Sequence, residues 1–313
     1  MTKKCLKGIY YALKSKYWFY DFITTDLPGL YIHGAILINL WHGTGSLKKC
    51  GNDDKNSGIK KGSLQEKIYR FLTVKDSYYN VDSEHEGKYR KQSFYAKDNQ
   101  IVINGSPRLD VLYKDIPNSE MFMEEDFNNI KKLKDAGKKL FFYVPTWRDT
   151  KEDVSGWLKS QKLKEFLKDN NSVLVCKLHP FDSNSLNFEL SEEFYKMKSN
   201  SDLYAVLKYM DAMISDYSSV YFDYLLLDRP IIYYVPDLEE FQEKNRGFYE
   251  PFESLTAGIK VRTEEELLFA MKDILKGVDN YKADREKLRN QTFKYQDGKN
   301  CERVTAWIKS LEK

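Results

Sequence analysis

The sequence predicts an α/β protein: two domains of parallel sheet, each with helices on both faces, facing a shared cleft. Three observations predict it. Short apolar runs alternate with charged helical stretches through both halves of the chain, the pattern of consecutive strand and helix units. The 313 residues exceed one ordinary core and suit two domains of roughly 150 residues each. Finally, the polar clusters that stand out all follow directly on apolar runs, at the strand ends where parallel sheets take their ligands.

Composition narrows the function classes. Fifty Lys and Arg against 47 Asp and Glu leave a net charge of +3, so there is no global electrostatic case for a nucleic-acid partner. Aromatics reach 15%, with 23 Tyr; Tyr packs cores and stacks on rings alike, so the enrichment selects neither. Cys5, Cys50, Cys176 and Cys301 are scattered without CxxC spacing, which argues against a zinc site or a disulfide framework and fits a reducing cytoplasm. No run reaches the ~18 to 20 apolar residues of a spanning helix. The N-terminus shows no apolar core followed by a cleavage site, so a cytoplasmic location is expected.

The first element is basic and aromatic. Lys3, Lys4, Lys7, Lys14 and Lys16 occur without an acid in residues 1–20, among Leu6, Ile9, Tyr10, Tyr11, Leu13 and the run Tyr17 to Tyr20. The favoured reading is a helix with its apolar side in the core; the other is a segment lying on an anionic lipid surface. A turn at Asp26 to Gly29 precedes a strand over Ala35 to Leu40, which ends in Trp41-His42-Gly43-Thr44-Gly45-Ser46-Leu47-Lys48-Lys49. Glycines around hydroxyls let the backbone approach a ligand closely. His42 at the strand end is a candidate general base. A lone His there is more often structural, but this one keeps company with hydroxyls and lysines.

Residues 51–62 read as a mobile surface loop; nearness to the His42 loop makes it a candidate lid, but a plain solvated loop is the favoured reading. A helix from Leu64, a strand over Phe71 to Val74 and a charged helix over Glu84 to Phe94 follow, with His85 read as exposed and inert. A strand over Ile101 to Ile103 delivers Asn104-Gly105-Ser106-Pro107-Arg108-Leu109-Asp110, where Arg108 meets a phosphate or pairs with Asp110. An amphipathic helix over 124–137 closes the first domain, placed at 1–135.

The second domain is placed at 136–313, its last helix free to pack back on the first. Its strand over Lys139 to Val144 delivers Pro145-Thr146-Trp147-Arg148-Asp149, in which Arg148 offers a guanidinium fork for phosphate oxygens. Ser172 to Leu178 is a strand leading into His179-Pro180, and Leu203 to Met210 is helical. Ala212 to Ile214 is a strand, Ser215-Asp216-Tyr217-Ser218-Ser219 a hydroxyl-rich turn, and Val220 to Leu227 a helix closed before Pro230. Unpaired amides, the positive end of the helix dipole and two serine hydroxyls suit that turn to a phosphate. The alternative is that Ser215, Asp216, Ser218 and Ser219 cap the helix. Strands over Ile231 to Val235 and Gly258 to Val261, then helices from Thr263, to about Leu288 and from Cys301, complete the chain.

Several blocks then carry a resemblance. Trp41-His42-Gly43-Thr44 with Leu47-Lys48-Lys49, Gly105 to Asp110, Pro145 to Asp149, Leu178-His179-Pro180, Ser215 to Ser219 with Phe222-Asp223, Arg229-Pro230, and Arg246-Gly247-Phe248-Tyr249 stand in one order over roughly residues 40–252. Together they resemble the CDP-glycerol glycerophosphotransferase family, the teichoic-acid and capsule polymerases and primases of bacteria. The resemblance implies two Rossmann-like domains facing a cleft, a fold of the glycosyltransferase-B type. It implies transfer of a polyol phosphate from CDP-glycerol or CDP-ribitol to a polymeric or lipid-linked acceptor, with no metal or other cofactor.

By the same resemblance His42 and His179 are catalytic, His42 as the base. Arg148, Thr146, Arg108, Ser215, Asp216, Ser218 and Ser219 bind the donor's phosphates, and Gly43, Thr44, Lys48, Asp223 and Arg246 support them. Two departures stand out: the N-terminal half is short, and Gly45-Ser46 replaces the family's usual proline-containing sequence. The short half and the basic start suggest a lipid-linked acceptor met at the cytoplasmic face of the membrane. The rival readings are a nucleotide-sugar transferase of the same fold and a nucleotide-binding relative without catalysis.

Overall fold

The computed structural model describes residues 6–21, 34–54, 62–69, 77–118, 121, 123–146, 156–178, 191–244 and 247–312. The chain divides into two compact units. Unit 1 holds Met1–Pro107, Asn245–Tyr249 and Gln291–Lys313, and unit 2 holds Arg108–Lys244 and Glu250–Asn290. In chain order the first segment of unit 1 runs α1 (Leu6–Lys14), β1 (Tyr17–Tyr20), β2 (Ile36–Asn39), α2 (Leu64–Tyr69), β3 (Ser77–Val81), α3 (Glu84–Phe94) and β4 (Ile101–Ile103). Unit 2 begins with α4 (Glu124–Asp135), β5 (Lys139–Val144), α5 (Gln161–Asp169), β6 (Ser172–Cys176), β7 (Phe194–Lys196), α6 (Tyr204–Leu207) and β8 (Ala212–Ser215). It continues with α7 (Val220–Tyr224), β9 (Ile231–Tyr234), α8 (Leu238–Lys244), β10 (Ile259–Val261), α9 (Glu264–Leu275) and α10 (Lys282–Thr292). The end of α10 and all of α11 (Asn300–Ser310) belong to unit 1.

Unit 1 carries a sheet in the order β1-β2-β3-β4, parallel throughout, with Tyr17 opposite Ile36, Leu37 opposite Ser77 and Tyr79 opposite Ile101. Three elements correct the sequence reading. The basic start is a helix followed by a strand, because the aromatic run Tyr17 to Tyr20 suits a pleated edge. In α1 only Ala12 is buried, while Leu6 is 87% and Leu13 63% exposed, so its apolar side does not enter a core. Strand β3, Ser-Tyr-Tyr-Asn-Val, was not foreseen; its polar residues hide it, and the strand expected over Phe71 to Val74 lies outside the described residues. His85 is half-buried, 2.9 Å from the Gln291 amide and edge-on to Tyr89, so it is not an exposed, inert group.

Unit 2 carries six parallel strands in the order β10-β9-β8-β5-β6-β7. From β5 the chain moves outward through β6 and β7, then returns to β8 on the other side of β5 and moves outward through β9 and β10. The strand order therefore reverses between β5 and β8, the crevice where open parallel sheets bind ligands. The central strands are covered on both faces and read as continuous apolar runs: β6 and β8 are buried at every position. Leu163 and Leu167 of α5 and Leu267, Ala270 and Met271 of α9 pack with Phe141, Leu174 and Ile214 in one core, the helical residues at the i, i+3 and i+4 spacing of one helix face. Ser160 caps α5, and Thr263 with Glu266 forms a capping box on α9, stopping both helices from fraying at their first turn.

Candidate active site

In unit 1 the site grows from the carboxyl ends of three adjacent strands. Beyond β2, Leu40 still donates its amide to the Tyr20 carbonyl at 2.9 Å, and the next residue breaks the strand. Trp41 sits at φ 54°, a left-handed conformation that costs an L-residue about 1–2 kcal/mol. The turn leaves His42 exposed. Its ring stacks on the Trp41 indole at 4.7 Å and 27°, and His42 Nδ1 lies 2.7 Å from the Asp21 carbonyl. A carbonyl only accepts, so Nδ1 carries the proton of the neutral ring and Nε2 the lone pair.

Gly43 and Thr44 are buried, and the Thr44 hydroxyl donates to Asp82 Oδ2 at 3.1 Å. Asp82 follows β3 directly. It also accepts the Ser106 amide and hydroxyl, each at 2.7 Å, so one buried carboxylate clasps the loops after β2 and β4. Its own amide donates to Glu86 Oε2 at 2.9 Å, which fixes the clasp to the start of α3. Farther along the His42 loop, Lys48 forms an antiparallel bridge with Phe248. The Lys49 amide donates to Gly247 and the Tyr249 amide to Leu47, both at 3.0 Å. The Tyr249 hydroxyl bonds Asp53 Oδ2 at 3.0 Å and the Ser93 hydroxyl, while its ring lies 4.4 Å from Tyr89. Burial, then the neighbouring Cys50, push that phenol well up, so it stays protonated as a donor.

In unit 2 the site sits at the reversal between β5 and β8. The Thr146 amide donates to Asp216 at 2.8 and 3.1 Å, and the Tyr217 amide donates to the same carboxylate. The Ser215 hydroxyl donates to the Val144 carbonyl at 2.9 Å. Ser215 and Asp216 are thus buried braces joining the ends of β5 and β8. Ser218 and Ser219 are half-buried at the head of α7. Ser219 makes no side-chain capping bond. Beneath it Tyr217 stacks on Phe241 at 3.8 Å and donates to Asp237 at 2.9 Å.

Arg108 pairs with Asp223, at 3.3 Å. Its Nε donates to the Tyr204 hydroxyl at 3.0 Å, and that hydroxyl donates to Asp223 at 2.6 Å. Burial and the Asp223 carboxylate push the Tyr204 phenol far up, so it stays protonated and the three side chains bond one another. Arg148, His179 and Arg246 lie outside the described residues. The strand before His179 is described to Leu178: the Lys177 ammonium donates to the carbonyls of Lys198 and Ser199 at 2.6 and 2.7 Å. Burial lowers its pKa. Among the described residues no group of three His, Cys, Asp or Glu side chains is placed to hold a metal ion.

Asp82 and Tyr204 escaped the sequence reading. Asp82 follows a strand that was not recognised as one, and Tyr204 gives no local signal because its partners are distant in sequence.

Two units of parallel sheet with polar loops on their carboxyl edges define an α/β protein of the glycosyltransferase-B type. Solved structures share that fold. A wall teichoic acid polymerase, TagF, in a crystal soaked with CDPG, aligns with a TM-score of 0.80 at 23% identity over 99% of this chain and 76% of that one. Staphylococcus aureus MnaA with UDP aligns at a TM-score of 0.54 and 13% identity, covering 97% of this chain and 79% of that one.

Residues 1–310 match the family described as CDP-Glycerol:Poly(glycerophosphate) glycerophosphotransferase, and the chain belongs to that family. A teichoic acid poly(glycerol phosphate) polymerase of Bacillus spizizenii is 31% identical over 290 residues, 89% of this chain and 70% of the relative. A teichoic acid glycerol-phosphate primase of Bacillus subtilis is 31% identical over 281 residues, 88% of this chain and 68% of the relative. The ribitol-phosphate polymerase TarK of Staphylococcus aureus is 30% identical over 281 residues; there the chain spans 51% of the relative's length.

Proposed function

We propose that this chain transfers a glycerol-phosphate or ribitol-phosphate unit from CDP-glycerol or CDP-ribitol to a hydroxyl of a teichoic-acid-like or capsular polymer, or of its lipid-linked primer, releasing CMP. The observation that carries the reading is the family match across residues 1–310. The site adds chemistry in keeping with it: an exposed imidazole whose Nδ1 is held by a carbonyl, and a serine turn at a sheet's topological switch.

In the reaction, His42 Nε2 takes the proton of the acceptor hydroxyl. The oxygen forms a bond to the phosphorus that bears the polyol, and the bond from that phosphorus to the oxygen of CMP breaks. CMP leaves with the electron pair. Charge gathers on phosphate oxygens throughout, so positioning and electrostatics carry most of the catalysis. Ser218, Ser219, Arg148 and His179 are the donors assigned to the pyrophosphate, with Lys48 and Arg246 in support. Thr146, Ser215, Asp216, Arg108 and Asp223 hold the loops that present them.

The acceptor side includes the membrane. Helix α1 exposes Leu6, Tyr10, Tyr11 and Leu13 beside Lys7 and Lys14, and apolar and basic residues on one short helix suit the surface of an anionic bilayer. Among the described residues no helix is long and apolar enough to cross a membrane. Co-sedimentation with anionic liposomes at low salt is expected; a protein that stays in the supernatant there rules the contact out.

The deciding experiment is a thermal-shift panel of CDP-glycerol, CDP-ribitol, CMP and several UDP- and GDP-sugars. A ligand at ~100 times its Kd stabilises the folded protein by ~2.7 kcal/mol, worth several degrees for domains of this size. Shifts with a CDP-polyol and not with nucleotide sugars are expected, and they identify the polyol. A shift with a nucleotide sugar alone discards the reaction and keeps the fold.

A further inference from the structure

We propose that Arg90 is a positioning residue for His42, acting through the Trp41 indole; this rests on the reading of His42 as the base. Three observations carry it. The Arg90 guanidinium carbon lies 4.0 Å from the centroid of the Trp41 ring, the same indole on which the His42 imidazole stacks at 4.7 Å. That is the geometry of a cation on an aromatic face, and it passes from Arg90 to His42 through one side chain.

The guanidinium is itself immobilised. Its Nη2 meets Glu86 Oε1 at 3.1 Å and its Nη1 meets Cys50 Sγ at 3.2 Å, and both Arg90 and Glu86 are almost fully buried. Arg90 Nε nevertheless has no hydrogen-bond partner. A fold selected for stability alone gains little from a buried ion pair with an orphaned donor, since apolar residues of similar volume serve as well or better. Glu86 also holds the Asp82 amide, and the guanidinium that it pairs lies on the indole.

Trp41 needs such a hold. Its backbone is left-handed, a conformation that persists only where the surroundings over-determine it. The edge of Phe94 at 5.6 Å and the face of Arg90 are part of those surroundings, beside the buried cluster of Cys50, Tyr79 and Ala96. Without the guanidinium, Trp41 is released toward an ordinary backbone conformation, and the neighbouring imidazole moves with it.

The test compares the parent with Arg90→Met/Glu86→Gln, which keeps the volume and strands no carboxylate, and with Arg90→Lys. The His42 ring resonance, assigned by its loss in His42→Ala, reports the stack through the indole ring current. In Arg90→Met/Glu86→Gln the resonance is expected to move toward its unstacked position. Turnover is expected to fall ~10- to 100-fold with the donor KM changed by less than ~3-fold, the pattern of a misplaced base. Arg90→Lys, which keeps the cation, recovers part of both. An unmoved His42 resonance, or turnover within about twofold of the parent, overturns the proposal. If the parent turns over neither CDP-polyol, the reading of the reaction falls and the resonance alone decides Arg90.

Discussion

The Asp82 carboxylate accepts the Thr44 hydroxyl at 3.1 Å, and through it the loop that carries His42 is fastened to the end of β3. The same carboxylate holds the Ser106 amide and hydroxyl. Asp82→Ala strands three donors in a buried setting at ~1–3 kcal/mol for each that water does not reach. A loss of ~3 kcal/mol is expected, which at roughly 2–4 °C per kcal/mol lowers Tm by ~6–12 °C. Thr44→Val removes one donor and one hydrogen bond together, and its expected cost is ~1 kcal/mol. Calorimetry on both variants checks the ranking; an Asp82→Ala protein that melts within 2 °C of the parent sinks the clasp.

The sheet of unit 2 was legible because its strands are apolar runs of the right length: Lys-Leu-Phe-Phe-Tyr-Val for β5 and Ser-Val-Leu-Val-Cys within the expected span of β6. Strands β3 and β7 were not, one being half polar and the other a Phe-Tyr-Lys triplet with a single buried position. What no local pattern encodes is strand order, so the reversal between β5 and β8 emerges only from pairing. The site residues divide the same way. His42 and the serine turn could be singled out because they follow apolar runs. That Ser215 and Asp216 brace the loops, and that Arg108 binds Asp223, depend on partners 71, 70 and 115 residues away.

His42→Ala removes the proposed base and leaves unit 2 intact. Turnover is expected to fall on the order of 100- to 10,000-fold, the range a general base contributes. Donor binding, followed by the same thermal shift as in the parent, is expected to stay largely unchanged. Residual turnover within about tenfold of the parent removes His42 from that role.

Arg108 and Asp223 are expected to be strongly coupled in stability. The Asp223 side chain is fully buried, whereas that of Arg108 is 19% exposed. Arg108→Ala therefore leaves a buried carboxylate to which the Tyr204 hydroxyl still donates at 2.6 Å, at an expected cost of ~3 kcal/mol. In Asp223→Ala the guanidinium has a path toward water and the expected loss is smaller. The double variant is expected to lose less than the sum of the single ones by ~1–3 kcal/mol. Strict additivity in urea melts counts against the pair as a unit.

Acid sensitivity is expected to follow Asp279. Arg285 is 1% exposed and donates twice to this carboxylate, at 2.7 and 2.5 Å. Those hydrogen bonds hold the Asp279 carboxyl below the usual Asp range. A depressed folded-state pKa means that the unfolded chain takes up the proton first as pH falls. The stabilisation is therefore complete above the unfolded value of ~3.9 and is lost as pH falls through the folded one. Asp279→Asn is expected to cost ~3 kcal/mol at pH 7, because Arg285 is left buried with Asp228 at 3.5 Å as its acidic partner. Below pH ~4 the gap between parent and variant narrows, since the parent's carboxyl is then being neutralised as well. Urea midpoints at pH 7 and in half-unit steps from pH 5 to 2 measure the gap directly. A gap that stays constant over that range means the Asp279–Arg285 pair does not carry the acid dependence.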